Sequence, residues 1–131
     1  MPIAYERDNQ RRLITVTVTE PYSVGDILSV IDRQAAEDTW QYAMLYDLRA
    51  VTQPSNEADS QQIVDRLRVV GGGRERGPVG LAIRAQPALF RAGLMHTKLT
   101  RELASIELLL NESQLADWLA RNTRGGSSRQ P

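Results

Sequence analysis

Residues 42–49 read Tyr-Ala-Met-Leu-Tyr-Asp-Leu-Arg, a continuous apolar run that ends in Asp-Leu-Arg. An uninterrupted apolar run of this length is typical of a central strand that is buried on both of its faces. Such strands belong to parallel sheets that are covered by helices. Residues 42–49 therefore indicate an α/β domain.

Two more strands are predicted before the central one, over residues 3–8 and 11–19. A polar turn joins them, which favours an antiparallel hairpin. In the second strand, apolar side chains alternate with threonines, as at Ile14, Val16 and Val18. This alternation predicts a strand that is covered on one face.

Four helices are predicted, each beginning at a recognisable start signal. These signals are Ser23 with Asp26, then Ser55 or Asn56, then Pro87 in a first turn, and finally Asn111. We expect the third helix to run to about Glu102, and residues 79–83 and 106–110 predict the two remaining strands. The order β-β-α-β-α-β-α-β-α predicts a single-domain, mixed but mostly parallel sheet flanked by helices, with an antiparallel hairpin at one edge.

The ends of the chain differ in composition from the rest. Residues 1–121 are predicted to form the domain, whereas residues 122–131, which are rich in Gly, Ser and Arg, are expected to be a disordered C-terminal tail. The N-terminal residues do not resemble a signal peptide, and no apolar run reaches the ~18 residues of a membrane span. We therefore expect a cytoplasmic protein without a membrane span.

The composition excludes several classes of function. The 16 basic and 16 acidic residues give a formal net charge of zero, which argues against a bulk polycation that coats nucleic acid. Cysteine is absent and His96 is the single histidine, so thiol catalysis, disulfides and multi-histidine metal centres are excluded. We expect no metal and no cofactor.

The glycines at 71–73 invite comparison with a phosphate-binding loop. A Walker loop follows a strand, precedes a helix and ends in Lys-Ser or Lys-Thr. The glycines here follow a predicted helix and precede a strand, and no such pair is present. We interpret them as a helix stop followed by a connector.

Polar residues gather after the central strand, where ligands of parallel α/β sheets usually bind. They are Asp47, Arg49, Thr52, Ser55 and Asn56. Because the N-terminal amides of the next helix open at the same edge, these residues are a candidate site for an anion or a protein partner. The alternative is structural: the aspartate satisfies loop amides while the arginine pairs with a nearby acid.

A second candidate site is an apolar pocket for a lipid-like ligand. Its candidate residues are Met44 and Leu45 on the central strand, with Phe90, Leu94 and Met95 on the third helix. Helical spacing leaves two inner faces open for the third helix, one with Phe90, Leu94 and Thr97 and the other with Met95 and Leu99. The alternative interpretation is that these side chains simply fill the core.

His96 is the remaining candidate for acid or base chemistry. A catalytic base needs an orienting acid and a nucleophile within reach, and the sequence offers only Thr97 and Thr100 nearby. A surface or packing histidine is the favoured interpretation.

The order of several short motifs resembles the STAS-like, or SpoIIAA-like, family of small bacterial domains. The motifs are Tyr46-Asp47-Leu48-Arg49, residues 76–82 (Arg-Gly-Pro-Val-Gly-Leu-Ala), residues 90–95 (Phe-Arg-Ala-Gly-Leu-Met) and residues 113–119 (Ser-Gln-Leu-Ala-Asp-Trp-Leu). The resemblance covers residues 3–121. It implies a central sheet flanked by helices, related to anti-sigma-factor antagonists and to the CRAL-TRIO lipid-transfer fold.

One departure from that family concerns its phosphorylated serine. In the antagonists an Asp-Ser pair followed shortly by Gly carries the switch, whereas here Ser55 stands in the place of the Asp and Asn56 in the place of the Ser. The Gly is missing. A phosphoswitch in this chain would have to use Ser55.

Three functions follow from these observations. The resemblance implies a non-enzymatic regulatory or protein-interaction domain that presents loop 49–57 to an unidentified protein partner, and a homodimer is also expected. The alternative is a carrier or sensor of a small apolar ligand. The third, an enzyme using Asp47 with Arg49 or His96 with a threonine, is disfavoured because no catalytic motif is recognised.

Overall fold

A computed structural model describes residues 2–123 of the chain. Within that range the chain forms the predicted succession of elements. The strands are β1 (Ile3–Asp8), β2 (Leu13–Val18), β3 (Ala43–Asp47), β4 (Val79–Ala82) and β5 (Ile106–Leu109). The helices are α1 (Val24–Ala36), α2 (Glu57–Gly71), α3 (Pro87–Leu99) and α4 (Glu112–Asn122). The predicted α/β class and element order are confirmed.

The strands form one mixed sheet in the order β1-β2-β3-β4-β5. β1 pairs antiparallel with β2, and the other pairs are parallel. Tyr46 of β3 lies opposite Leu81 of β4, which lies opposite Leu108 of β5. The predicted mostly parallel sheet with an antiparallel edge hairpin is therefore confirmed.

The two faces of the sheet are covered unequally. Three successive β-α-β crossovers of the usual right hand place α1, α2 and α3 on one face, where Val16, Tyr46 and Leu81 form the larger core. On the other face α4 packs Trp118 against Leu45 and its neighbours. Each strand residue therefore faces either the three-helix side or the α4 side.

The helix starts follow the predicted signals. Ser23 and Asp26 form a reciprocal capping box at α1. Asn56, rather than Ser55, caps α2 by accepting a hydrogen bond from the Asp59 amide. Asn111 caps α4 in the same way. The choice left open between Ser55 and Asn56 is thus settled in favour of the asparagine.

The predicted end of α3 is shifted, whereas the predicted end of α2 is not. α3 ends at Leu99 rather than near residue 102, because the backbone of Thr100 leaves the helical conformation, at φ −97° and ψ 2°, while its hydroxyl donates back to the His96 carbonyl. α2 ends at the glycines as predicted, with Gly72 in the left-handed conformation at φ +56°. The glycine run is therefore a helix stop.

The described part of the chain ends just after α4. Asn122 is the last residue of that helix and Thr123 is buried. The remainder of the predicted tail, residues 124–131, lies outside the described residues. Across residues 2–123, none of the helices has both the length and the apolar character that crossing a membrane requires.

Candidate functional site

A cavity of about 130 Å³ lies between the three-helix face of the sheet and α1, α2 and α3. Its wall is predominantly apolar, with Ile27 from α1, Ile63 from α2, and Leu81 and Ile106 from the sheet. We refer to it below as the helix-face cavity. It is similar in size to cavities of ~150 Å³ that accept benzene in other proteins.

The strand pleat and the small side chain of Ala92 create this space. Alternate residues of β4, from Val79 to Leu81, and then Ile83 beyond the strand, point into the cavity. These residues span four steps of extended chain, or ~13 Å. On α3 the facing positions are Ala92 and Gly93. The short Ala92 side chain leaves room that a larger one would fill, whereas Gly93 lets Leu108 approach, since a Cβ there would lie 3.0 Å from a Leu108 methyl.

Arg76 brings a positive charge to the cavity wall from the connector before β4. Its Nη2 donates to Gln34 Oε1 at 2.9 Å and lies 3.5 Å from Met44 Sδ, and its Cζ lies 4.8 Å from the centroid of the Trp40 ring. Its Nε is buried without a hydrogen-bond partner. Among residues 2–123, the ion pairs involve other arginines and not Arg76.

Two tyrosines, Tyr22 and Tyr46, line the cavity. Burial raises the pKa of Tyr46 above its ordinary value of 10.0, and nearby Arg76 partly offsets that rise. Burial also raises the pKa of Tyr22, and the charges of Asp59 and Glu20 act in the same direction. Both phenols are therefore neutral hydrogen-bonding groups at neutral pH.

His96 extends from α3 to the cavity wall and to α2. Its Nδ1 lies 3.0 Å from the hydroxyl oxygen of Ser60, which is itself buried. Burial lowers the pKa of His96 below 6.5, and the charge of Arg76 lowers it further. The imidazole is therefore uncharged at neutral pH and does not add a second cation to the cavity.

The other charged group in the wall is Asp59, in the first turn of α2. α2 starts after the carboxyl end of β3, whereas Arg76 comes just before the amino end of β4. The negative charge of Asp59 and the positive charge of Arg76 therefore lie towards opposite ends of the parallel strands. The cavity is therefore polar at its two ends and apolar between them.

The structure joins only part of the predicted anion site. Arg49 Nε and Nη2 donate to the two carboxylate oxygens of Asp47, each at 2.9 Å, and Arg49 Nη1 donates to Glu112. Hydrogen bonds and charge from Arg49 lower the pKa of Asp47 despite partial burial, and Asp47 likewise raises the pKa of Arg49. The charges of this cluster are already paired within the chain.

The other three predicted residues lie in different contacts. Thr52 donates its hydroxyl to Glu20 Oε1 at 2.9 Å, and Asn56 is the cap of α2. Ser55 belongs to the wall of the helix-face cavity. The structure therefore brings Asp47 and Arg49 together and directs Ser55 to the cavity.

The predicted apolar pocket needs correction. Phe90 and Leu94 are 36% and 48% exposed, and neither they nor Met95 and Met44 line the helix-face cavity. Met44 is fully buried in the core. The helix instead turns Leu89, Ala92, Gly93 and His96 inward. Helical spacing alone allowed either the face of Phe90 and Leu94 or the face of Met95 to point inward, and the packing of α3 places neither of them in the cavity wall.

Sequence reasoning missed Arg76, Tyr46 and Tyr22 as site residues. An available signal was the position of Arg76, a charged residue just before Gly-Pro and a buried strand. The sequence does offer His96 as a candidate acid or base, but with Thr97 and Thr100 as the hydroxyl groups nearby. Thr97 and Thr100 instead donate their hydroxyls to helix carbonyls, and Ser60 is the partner of the imidazole.

Comparison of this chain with protein-family models, with curated proteins and with solved structures finds no match. Within residues 2–123, no three acidic or histidine side chains converge as a metal site would require.

Proposed function

We propose that this chain binds a small, mainly apolar ligand in the helix-face cavity and acts as a carrier or sensor of it. The observation that carries the proposal is the space of about 130 Å³ beneath three helices. Interiors of proteins are normally packed as densely as organic crystals, and voids larger than a water molecule are few. A mainly apolar cavity with a few polar groups in its wall is a default candidate for a ligand site.

The loop after β3 supports the sensor form of this proposal. Ser55 belongs both to the cavity wall and to loop 49–57, which the sequence predicts as a partner-binding surface. A ligand that contacts Ser55 would change the environment of that loop. The regulatory, protein-interaction function, the homodimer and the cytoplasmic location remain predictions.

The test is a titration monitored by ¹H–¹⁵N NMR with benzoate and benzyl alcohol as probes. Ligands of this size bind with a Kd on the order of 1 mM or below when a cavity accepts them. Ala92→Leu fills the cavity from α3 and is expected to weaken binding at least about tenfold. The matched control is Ala116→Leu on the exposed face of α4, which should leave the Kd unchanged.

Two results would overturn the proposal. The first is the absence of saturable binding by either probe. The second is equal binding by wild type and a folded Ala92→Leu variant, because the probes would then occupy another place. A shift of the Ser55 amide on binding would support the sensor form, whereas an unchanged amide would restrict the proposal to a carrier.

A further inference from the structure

Arg76 differs from six arginines that the structure places beside an acidic side chain. Arg7, Arg33, Arg49, Arg66, Arg74 and Arg121 each lie within 4.0 Å of an acidic side chain. The guanidinium of Arg76 instead has the neutral Gln34 amide, the Met44 sulfur and the Trp40 ring as neighbours. Its charge is therefore uncompensated by a carboxylate in the described part of the chain.

This arrangement is energetically unfavourable without a ligand. Partial burial removes water from a cation, and an ion pair is the usual compensation. The Arg76 Nε also lacks a hydrogen-bond partner although it is buried. Groups left unsatisfied in this way are costly and call for an explanation. A bound anion next to the guanidinium would supply the missing charge.

We infer that the ligand of the helix-face cavity is a small monocarboxylic acid whose carboxylate pairs with Arg76. The inference rests on the proposed function and adds the chemical class of the ligand. A guanidinium and a carboxylate form the strongest hydrogen-bonded ion pairs in proteins. The Tyr46 hydroxyl, which lies in the same wall near Arg76, is a further donor for the acid.

The charges around the cavity favour a monoanion over a phosphate or sulfate ester. Among the described residues that form the wall of the cavity, Arg76 is the single permanent cation. His96 is neutral, since burial and Arg76 lower its pKa. The remaining charged group, Asp59, repels a second negative charge. A dianion would therefore have one partner for two charges.

The apolar wall and the volume of the cavity determine the size and the apolar character of the rest of the ligand. A volume of about 130 Å³ accommodates one aromatic ring or a short acyl chain. Such a group would contact Ile63 and Leu81 and extend from Arg76 towards the end where Asp59 lies. Benzoate and hexanoate are suitable probes because they match this size and carry one carboxylate.

The experiment compares each acid with its neutral amide. The Kd values of benzoate against benzamide, and of hexanoate against hexanamide, are measured by NMR titration at pH 7.5. We expect wild type to bind the acid at least about tenfold more tightly than the amide. Arg76→Gln should bring this ratio close to 1, and Arg76→Lys should retain part of it because the charge remains.

Arg74→Gln is the matched control. Arg74 also lies over the Trp40 ring, with its Cζ 5.4 Å from the centroid, but it is absent from the cavity wall and donates to the Val70 and Gly71 carbonyls. The acid preference should therefore persist in Arg74→Gln. Loss of acid binding in Ala92→Leu locates the acid in the cavity.

The outcomes separate this inference from the proposed function. Equal affinity for acid and amide in wild type would overturn the carboxylate assignment while leaving the cavity a ligand site. An acid preference that survives in Arg76→Gln, or in a folded Ala92→Leu, would also overturn it, because another group would then hold the acid. If neither acids nor amides bind, the proposed function itself fails. If Arg76→Gln does not fold, the preference for acid over amide is compared between wild type and Arg76→Lys instead. An unchanged preference in Arg76→Lys, or none in wild type, would overturn the assignment.

Discussion

The Ser60 hydroxyl oxygen and His96 Nδ1 lie 3.0 Å apart and join α2 to α3 beside the helix-face cavity. This bond has structural weight because Leu89 is the one buried residue of α3. The helix that closes the cavity is therefore held by few apolar contacts. A polar bond between two shielded side chains compensates for some of that deficit.

The first prediction concerns the pH dependence of this contact. The folded pKa of His96 lies below 6.5, so the unfolded chain binds a proton that the folded chain excludes. Stability is therefore complete above the unfolded value and falls as the pH decreases through 6.5 towards the folded pKa. Urea denaturation at pH 7.5 and 5.5 measures this change.

The control for that prediction is His96→Asn, which keeps a hydrogen-bonding group near Ser60 and removes the titration. We expect its free energy of unfolding to vary less over the same pH interval. The imidazole protons of the single histidine give the pKa directly by NMR. A value at or above 6.5 would contradict the burial described here.

The second prediction tests the connector that positions Arg76. A Cβ on Gly77 would overlap the backbone carbonyl oxygens of Gln41 and Tyr42. Because backbone atoms cannot yield as a flexible side chain does, Gly77→Ala should destabilise the protein by more than about 2 kcal/mol. Gly72→Ala, where nothing lies within 4 Å but φ is +56°, should cost about 1 kcal/mol.

Chemical denaturation of the two glycine variants provides the comparison. Similar values for Gly77→Ala and Gly72→Ala would mean that residues 41–42 do not approach the connector. The position assigned to Arg76 would then be in error.

The third prediction separates the two faces of the sheet. A Cβ on Gly80 would lie 2.9 Å from the Trp118 ring and 3.0 Å from a Leu109 methyl, on the α4 side. Gly80→Ala should therefore cost roughly 1–3 kcal/mol of stability through overpacking. Since Gly80 faces away from the cavity, the Kd for benzoate should not change in the folded variant. A weaker Kd with unchanged stability would contradict the assignment of faces.

The fourth prediction concerns the paired charges after β3. Asp47 and Arg49 are partly exposed, so a double-mutant cycle with Asp47→Asn and Arg49→Gln should give a coupling energy of about 1 kcal/mol or less. The coupling should decrease in 1 M salt. It should also decrease as the pH falls through the lowered pKa of Asp47, because protonation removes the ion pair.

Ligand binding gives the decisive contrast for this cluster. Neither variant should change the Kd for benzoate, because neither side chain lines the cavity. A tenfold loss of affinity in Asp47→Asn would return the binding site to the edge that the sequence suggested.

The local features of this fold could be predicted from the sequence. The Ser23–Asp26 capping box depends on residues three apart, and the alternation through β2 reflects the pleat of a single strand. The contact of Asp47 with Arg49 spans two residues and was also accessible. The second partner of Arg49 is Glu112, which lies 63 residues further along the chain and could not be predicted from the sequence.

The cavity could not be predicted because it depends on packing between elements. Its wall combines Ala92 of α3 with Ile63 of α2 and Leu81 of β4, and no local pattern encodes the distances between these elements. Phe90 and Leu94 of α3 are hydrophobic and lie on one helical face, yet the packing of the helix leaves both exposed. Arg76 is a candidate ligand-binding residue because no carboxylate of the described residues lies beside it, and that property depends on neighbours that are distant in sequence.

The most direct test of the central claim is the location of a bound probe. With ¹³C-labelled methyl groups, intermolecular NOEs from the ring protons of benzoate are measured on the wild-type protein. The account predicts NOEs to Ile63, Leu81 and Ile106, which line the cavity, and none to Leu109 beneath α4. NOEs confined to Leu109 or to the exposed methyls of Leu94, or none under saturating benzoate, would contradict it.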